Sequence, residues 1–330
     1  MNTNPPRLPN AISGDRPTGP LHLGHLVGSL ENRLALQKTH TLTVLIADTQ
    51  AQSDFGSAPL DLRENILKVM QDYCRVGLNP EKTRFVLQSQ VSSLLSLSYL
   101  LLNFATLSQV ERNPTIKAEI TQKGFGRATP LSFLTYPVSQ VSDMIGLGGG
   151  IIPVGEDQLP IIELGNDMIT KLNRLGLEIA LLTPQISQTP RLVGICGKQK
   201  MSKSLGNAIY LSDTPKIIQQ KIMQMYTDEK HLRVEDKGSI VGNTVFEYLD
   251  VFEENKEYLN SLKSHYQKGG LGDVFLKKHL HALIQQKLDS LLPYKASPSQ
   301  LRDCLMEGSR LAEIQASKIL DQLRSRLFPL

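Results

Sequence analysis

Short apolar runs alternate with helical patterns through the first part of the chain. The strand-like runs are residues 11–13, 42–47, 84–87 and 151–154. Between them, apolar residues recur at helical spacing, as in Leu60–Cys74 and Ser92–Leu107. Strands that alternate with helices predict an α/β fold built on a doubly wound parallel sheet. In such a sheet, ligands bind at the carboxyl ends of the strands, where the strand order reverses.

The pattern becomes helical after a last strand-like run at 208–211. Thr214 and Pro215 are residue types typical of a helix cap and a first helical position. Helical spacing then continues to Leu330, interrupted at glycine and proline residues. The sequence therefore predicts a doubly wound domain over residues 1–211 and a smaller all-helical domain over residues 212–330.

The composition is that of a globular protein and limits the classes of function that fit. Of the 330 residues, 40% are hydrophobic and 21% are charged. No apolar run reaches membrane-spanning length and the N-terminus lacks a secretory pattern, so we expect a cytoplasmic protein without membrane contact. The three cysteines lie far apart, which predicts neither a disulfide framework nor a zinc site. With a net charge of +4, nucleic-acid contact would need a local basic surface.

The stretch Pro17–His25 follows the first strand-like run and precedes a helical pattern. This order predicts a strand, a tight turn and a helix, with Thr18 near the N-cap and Pro20 near the first helical position. The free N–H groups of a helix N-terminus attract phosphate, and His22 and His25 could donate further hydrogen bonds to it. An ordinary buried helix with two incidental histidines fits this stretch alone equally well.

A second stretch, Lys200–Ser204, places two lysines on a loop with glycines on both sides. Such a loop suits a mobile lid over a polyphosphate, although a lysine-rich loop by itself is usually solvated surface. The two stretches read His-Leu-Gly-His and Lys-Met-Ser-Lys-Ser, in this order and far apart in the chain. Together they resemble the HIGH and KMSKS motifs of the class I aminoacyl-tRNA synthetases.

Three polar residues, Tyr136, Gln140 and Asp143, are spaced to share one face of a helix. A phenol, an amide and a carboxylate on that face could hold an ammonium group and one distant polar tip. Seen alone, the stretch is more simply a polar helix start. Beside the two motifs, it resembles the substrate helix shared by the tyrosyl and tryptophanyl members of the class.

Side-chain chemistry separates tyrosine from tryptophan as the substrate. An indole N–H only donates, so Asp143 can satisfy it, whereas a phenol hydroxyl both donates and accepts. The tyrosyl enzymes supply the second partner as a tyrosine two residues before the glycine of the first strand, where this chain has Ile12. The local sequences of residues 14–19 and 153–158 also resemble those of the tryptophanyl family. The resemblance is therefore to the tryptophanyl-tRNA synthetases.

This resemblance implies a role for each matching residue. The catalytic residues would be His22, His25, Lys200 and Lys203. The ATP-binding residues would be Arg16, Pro17, Thr18, Gly24, His25, Gly155, Glu156, Asp157, Leu192, Lys200, Met201, Ser202, Lys203 and Ser204. The tryptophan-binding residues would be Ile12, Tyr136, Gln140, Asp143 and Gln158. Among these, Asp143 would hold the indole N–H, and Tyr136 and Gln158 would hold the ammonium group.

The segment Pro114–Pro130 reads as a loop in the sequence. It carries lysines and an arginine among glycines, and the family has a basic segment near this place. Glu119, two positions after Lys117, stands where a lysine is expected from the family. An ATP-binding role for this segment is therefore in doubt.

The resemblance also implies an activity and its partners. A tryptophan–tRNA ligase uses ATP and Mg²⁺ to convert L-tryptophan into tryptophanyl-adenylate and pyrophosphate, and then transfers tryptophan to the 3′-terminal ribose of tRNA(Trp). The implied protein is a cytoplasmic homodimer with a Rossmann-like catalytic domain and a helical anticodon-binding domain. It needs no zinc and has no DNA or membrane partner.

Three alternatives remain open from the sequence. The nearest is a tyrosyl-tRNA synthetase. A nucleotidyl transferase that builds a coenzyme has an HxGH turn but lacks the lysine pentapeptide and usually a long helical C-terminal part. A non-catalytic relative that binds RNA would have no reason to keep both motifs.

Overall fold

A parallel sheet with the strand order β3-β2-β1-β4-β5 forms the centre of the molecule. The computed structural model describes residues 8–53, 61–186, 192–197, 199, 201–203, 205–291 and 296–329. The strands are β1 (Asn10–Asp15), β2 (Thr41–Ile46), β3 (Thr83–Leu87), β4 (Ile151–Val154) and β5 (Thr183–Ile186). The order reverses between β1 and β4, which confirms the doubly wound sheet and locates the expected ligand crevice.

Helices cover both faces of this sheet. In the first part of the chain they are α1 (Leu23–His25), α2 (Glu31–Leu36), α3 (Asp48–Ser53), α4 (Arg63–Arg75), α5 (Ser92–Leu101), α6 (Leu107–Arg112), α7 (Pro114–Lys123), α8 (Leu131–Gly146) and α9 (Leu159–Arg174). Later in the chain they are α10 (Pro215–Met223), α11 (Thr244–Phe252), α12 (Lys256–Lys268), α13 (Asp273–Asp289) and α14 (Pro298–Leu327). A π-helical turn over Leu26–Leu30 joins α1 to α2. In the described part of the chain, none of the helices is long and apolar enough to cross a bilayer.

Side chains alternate between two apolar layers along each central strand. Leu42, Val44 and Ile46 of β2 face a layer that includes α4 and the apolar faces of α10 to α13. Leu45 of β2 and Val86 of β3 face a second layer that includes α5, α8 and α9. Alternation of this kind is what a strand produces when both faces of its sheet are covered.

The long helix α14 returns to the first part of the fold and packs against β3, α5 and α8. Gly308 lies so close to β3 that a Cβ at this position would stand 1.9 Å from the Phe85 carbonyl oxygen. Ser309 Oγ accepts a hydrogen bond from the Leu87 N–H at 2.9 Å. Glu313 accepts from the Ser93 N–H at 3.1 Å, at the beginning of α5.

The helix after the histidine turn begins later than expected, at Leu23, so Thr18 and Pro20 do not occupy its cap and first position. The reason is a pairing with a distant segment. Leu23 donates its N–H to the Ile209 carbonyl at 2.9 Å, and Leu211 donates to the Leu21 carbonyl at 2.9 Å. This pairing holds the chain before Leu23 in an extended form.

Other expectations from the sequence also need correction. The run at 208–211 forms an isolated bridge between Tyr210 and His22 instead of a sheet strand. No apolar pattern indicated β5, because this strand is largely exposed and contains Pro184. The helical pattern at Ser92–Leu107 is interrupted by a 3₁₀ turn between α5 and α6.

The segment Pro114–Pro130 is not simply a loop, because its first part is α7. Asn113 caps this helix by accepting a hydrogen bond from the Thr115 N–H at 3.0 Å, and Pro114 takes the first helical position. Ile116 is fully buried and anchors the helix to the core.

Candidate active site

A cleft of about 1320 Å³ opens at the carboxyl edge of the sheet, between β1 and β4. The segments that follow β1, β2 and β4 converge on it, as the strand order requires. Predicted site residues that line the cleft are Ile12, Arg16, Thr18, His22, Gly24, His25, Gln140, Asp143, Gly155, Glu156, Asp157, Gln158, Leu192, Met201, Ser202 and Lys203. Pro17 and Tyr136 are not among the lining residues. Lys200 and Ser204 lie outside the described residues.

At the start of α1, His22 is buried and His25 is half-buried, and their ring centroids lie 3.9 Å apart. His25 Nδ1 accepts a hydrogen bond from the His22 N–H at 3.2 Å, so a neutral His25 carries its proton on Nε2. Burial lowers the pKa of His22 to about 2 and that of His25 to about 4. Both imidazoles are therefore neutral near pH 7 and can act as hydrogen-bond donors without carrying a charge.

The described part of the lysine-rich loop lies against the histidine turn. Lys203 Nζ donates to the Gly19 carbonyl at 2.6 Å, and Met201 Sδ accepts from the Gly24 N–H at 3.4 Å. Burial lowers the pKa of Lys203 to about 8, although Asp15 and Asp72 oppose this shift. Lys203 is still mostly protonated at pH 7 and brings a positive charge to the side of the cleft formed by the histidine turn.

A buried ion pair lies beneath the histidine turn and was not found from the sequence. Arg33 Nη1 donates to Asp15 Oδ2 at 2.6 Å, and the Tyr73 hydroxyl donates to the same oxygen at 2.7 Å. Burial alone would raise the pKa of Asp15, but Arg33 outweighs it and, with His25 and Tyr73, holds this pKa at about 2. Asp15 is therefore a fixed negative charge in the cleft wall.

Asp143 presents one oxygen without a partner to the cleft. Gln88 Nε2 donates to Asp143 Oδ2 at 2.7 Å, while Oδ1 is buried and has no hydrogen bond within the described structure. Gln88 is itself oriented by the Thr49 hydroxyl and the Gln50 N–H, which donate to its Oε1 at 2.5 and 3.1 Å. Burial, with Asp48 nearby, raises the pKa of Asp143 to about 8 despite the bond from Gln88.

Hydrogen bonds link the other predicted amino-acid residues at the wall of the cleft. Gln140 Nε2 donates to Gln158 Oε1 at 3.1 Å, and Gln158 Nε2 donates to Asp157 Oδ2 at 3.2 Å. Tyr136 is buried beside α7, where its hydroxyl donates to Glu119 Oε2 at 2.7 Å. The structure thus brings Gln140, Asp143 and Gln158 into the cleft and holds Tyr136 at its side.

The segment Gly155–Gln158 forms the opposite rim as a short 3₁₀ turn after β4. Thr115 of α7 fixes this rim by donating its hydroxyl to the Asp157 carbonyl at 2.5 Å. Across the described ranges, no group of three or more His, Cys, Asp or Glu side chains is arranged to hold a metal ion.

This cleft, with its histidine turn and its lysine loop, defines an ATP-dependent synthetase of class I. The family model for class I tRNA synthetases (W and Y) matches residues 6–289. The chain belongs to this family.

Curated relatives narrow the comparison to one member of the family. The chain is 42% identical to the tryptophan–tRNA ligase of Streptococcus agalactiae over 332 aligned residues, which cover 97% of each protein. It is 43% identical to the tryptophan–tRNA ligase of Clostridium longisporum over 326 residues, which cover 96% of each.

Solved structures show the same fold. The tryptophanyl-tRNA synthetase of Campylobacter jejuni, complexed with ADP and tryptophan, superposes with a TM-score of 0.78 at 25% identity and covers 96% of this chain and 99% of that one. The tyrosyl-tRNA synthetase of Archaeoglobus fulgidus gives a TM-score of 0.60 at 22% identity, over 85% of this chain and 88% of that one.

Proposed function

We propose that the protein is a tryptophan–tRNA ligase that uses Asp143 to recognise the indole. The observation that carries this proposal is the buried Oδ1 of Asp143, a residue that lines the cleft; this oxygen has no hydrogen bond within the described structure and is an acceptor when the carboxyl group is ionised. An indole N–H is a donor and offers nothing else, so one acceptor satisfies it. Ile12 lines the same cleft and has no polar atom for a phenol hydroxyl. One acceptor at Asp143, together with an apolar side chain at Ile12, favours tryptophan over tyrosine as the substrate.

The first step joins the tryptophan carboxylate to ATP. A carboxylate oxygen attacks the α-phosphorus in line, the bond to the β-phosphate bridging oxygen breaks, and pyrophosphate leaves with that electron pair. Neutral His22 and His25 donate hydrogen bonds to the phosphate oxygens. The positive charge of Lys203 stabilises the negative charge that develops on the leaving pyrophosphate. Positioning and electrostatic stabilisation perform this step, so no covalent enzyme intermediate is needed.

The second step transfers tryptophan to tRNA. A hydroxyl of the 3′-terminal ribose attacks the carbonyl carbon of the adenylate, and AMP leaves as the ester forms. The proton of that hydroxyl passes to the departing phosphate. The cleft is open at the carboxyl edge of the sheet, which leaves a route for a tRNA acceptor end.

Mg²⁺ enters as the metal complex of ATP and neutralises charge on the phosphates, a mode of binding that magnesium prefers over an all-protein cage. Arg16, Gly155, Glu156, Asp157 and Leu192 are the proposed nucleotide contacts of this chain. We place the reaction in the cytoplasm, where ATP and tRNA are available.

We further propose that helices after residue 212 bind the anticodon part of tRNA(Trp).

We also propose that the protein is a homodimer. Leu95, Tyr99 and Leu102 recur at helical spacing along α5 and its following turn, and all three are exposed. An apolar stripe of this kind suits burial against a second copy. Tyr99→Glu is expected to produce monomers in sedimentation velocity, whereas the solvent-facing Lys216→Glu should leave the dimer intact. A dimer that persists in the Tyr99 variant would place the interface elsewhere.

Amino-acid-dependent exchange of pyrophosphate into ATP tests the function. Run with each of the twenty amino acids, the exchange should respond to tryptophan and little to tyrosine. The chain contains no tryptophan, so bound ligand can also be followed by its own indole fluorescence. Exchange driven by tyrosine would identify the alternative enzyme, and no exchange with any amino acid would favour a non-catalytic RNA-binding protein.

A further inference from the structure

One face of α7 is directed at the cleft. Thr115, Glu119 and Lys123 are four residues apart and therefore lie on the same side of the helix. Thr115 bonds to the Asp157 carbonyl, and Lys123 lines the cleft. Glu119 lies between them on this side of the helix and is half-buried, whereas Lys117 lies around the helix and is exposed. The helix thus holds a carboxylate 3.8 Å from Arg16, a residue that lines the cleft.

Glu119 contacts two residues from separate segments. Its Oε2 accepts the hydrogen bond from the Tyr136 hydroxyl at 2.7 Å. Its Oε1 lies 3.8 Å from Arg16 Nη2, on the loop after β1. The Glu119 side chain is 23% exposed, so the carboxylate is sheltered from bulk water and still reachable by a ligand.

The bond to Glu119 determines what Tyr136 can offer a ligand. A phenol hydroxyl has one hydrogen, and Tyr136 donates it to Glu119. Its oxygen can therefore only accept from a further partner. An ammonium group only donates hydrogen bonds, so it needs an acceptor. By taking the Tyr136 hydrogen, Glu119 leaves the Tyr136 oxygen as such an acceptor and places a negative charge beside Tyr136.

Other carboxylates of the cleft are committed to different places. Asp15 is paired with buried Arg33, and Asp143 lies beside Gln88 at the indole position. Glu156 and Asp157 belong to the turn after β4, where Asp157 accepts a hydrogen bond from Gln158, the second residue assigned to the ammonium group. Glu119 is the carboxylate held against Tyr136, the residue assigned to the ammonium end of the substrate.

We propose that Glu119 is the counter-charge of the substrate's α-ammonium group and a specificity residue for α-amino acids over des-amino acids. This proposal rests on the proposed function, because it takes the ligand to be an amino acid held by Tyr136 and Asp143. Glu119 acts through its hydrogen bond to Tyr136 and through the negative charge that it holds beside the Tyr136 hydroxyl.

The test compares two ligands that differ only in the ammonium group, L-tryptophan and indole-3-propionate. Their binding to the whole protein is followed by indole fluorescence, which needs no turnover. Glu119→Gln removes the charge but keeps the size of the side chain. We expect it to weaken L-tryptophan binding by about 10- to 100-fold and to change indole-3-propionate binding by less than about twofold. Glu119→Asp should recover part of the loss, and Glu111→Gln, exposed on α6, should change neither affinity.

The outcomes separate this proposal from its rivals and from the proposed function. An equal loss of affinity for both ligands would make Glu119 a structural residue of α7. A higher KM for ATP with unchanged L-tryptophan binding would mean that Glu119 serves only to position Arg16. Either result overturns the proposal. If the wild-type protein binds neither indole ligand, the proposed function itself fails, and this is seen before any variant is made.

Discussion

Asp143 and Gln88 form a buried pair in which the amide occupies one carboxylate oxygen and leaves the other to the cleft. Gln88 is in turn fixed by Thr49 and by the Gln50 N–H, both from the segment after β2. The acceptor is therefore oriented before any ligand arrives. Such preorganisation lowers the free-energy cost of binding and sharpens discrimination between ligands.

Asp143→Ala should remove the preference for an unmodified indole. The wild-type protein is expected to prefer tryptophan to its 1-methyl analogue, which lacks the N–H donor, and the variant should lose most of this preference. Loss of the acceptor typically costs about 1–3 kcal/mol. The measurement is kcat/KM in adenylate formation for both compounds and both proteins. Full preference in the variant would show that the indole is recognised elsewhere.

The pKa of Asp143, raised to about 8 by burial, predicts that tryptophan affinity depends on pH. Below this pKa the carboxyl group is protonated. Because Gln88 donates to Oδ2, the proton is then on Oδ1. The protonated Oδ1 is a hydrogen-bond donor and no longer suits the indole N–H, which is also a donor. Affinity should therefore rise as the pH increases from about 6.5 to about 8.5. Equilibrium titrations over this range would test it, with a flat profile expected for Asp143→Ala. A flat wild-type profile would contradict the prediction.

At the residue scale, the sequence predicted several residues that line the cleft, but it did not predict the residues that hold them in position. Ile12, Gln140, Asp143 and Gln158 do line one cleft. Gln88 and the pair of Asp15 with Arg33 escaped notice, because each depends on a contact between residues distant in the chain. The roles of the lining residues in binding stay predictions.

The lysine loop is the element proposed to bring positive charge to the phosphates of ATP. Lys203 reaches the Gly19 carbonyl, and Met201 reaches the first turn of α1, so the loop and the histidine turn are already in contact. We propose that a triphosphate binds between them and replaces these hydrogen bonds. In this proposal the loop acts on charge that develops during reaction as well as on the bound nucleotide.

Lys203→Ala is expected to lower kcat and kcat/KM together by roughly two orders of magnitude, with little change in tryptophan affinity. The reason is that the ammonium group gains most of its interaction energy when the leaving pyrophosphate carries its full charge. Steady-state pyrophosphate exchange measures this, with Lys216→Ala on the exposed start of α10 as the control. A change confined to the KM for ATP would instead indicate uniform binding of ground and transition states.

At the element scale, the central strands and several helices followed from apolar periodicity, and the exceptions have different causes. The helix α7 was taken for a loop because its lysines and nearby glycines drew attention away from a local signal, the cap at Asn113 followed by Pro114. The start of α1 was misplaced because a backbone pairing with residues 209–211 overrides local capping preference. Only the second error comes from a contact that a local pattern does not contain.

The whole molecule is tied together by α14. This helix covers the edge strand β3, and Glu313 supplies acceptors for the first turn of α5. The return of α14 to the sheet could not be read from the sequence, because an amphipathic helix shows which face is buried but not what buries it. The predicted division near residue 212 stays a prediction, with α14 in direct contact with the first part of the chain.

Gly308→Ala should destabilise the protein although alanine is the better helix former. The added Cβ would stand 1.9 Å from the Phe85 carbonyl oxygen, so α14 must move away from β3. Overpacking of this kind typically costs about 1–3 kcal/mol, more than the helix propensity that alanine gains. Thermal or urea unfolding would measure the loss against Ser325→Ala, an exposed position of the same helix. Unchanged stability would mean that the helix adjusts without loss.

The place of α14 in the chain also has a consequence for how the protein is made. The ribosome completes every described residue of the cleft before it begins this helix. During synthesis the nascent chain therefore contains the residues of the cleft while the apolar side of β3 is not yet covered by α14. Such a chain is expected to be prone to aggregation until α14 is made. A message truncated before Pro298 should therefore yield a protein that contains every described residue of the cleft but is unstable and poorly retained in the cell.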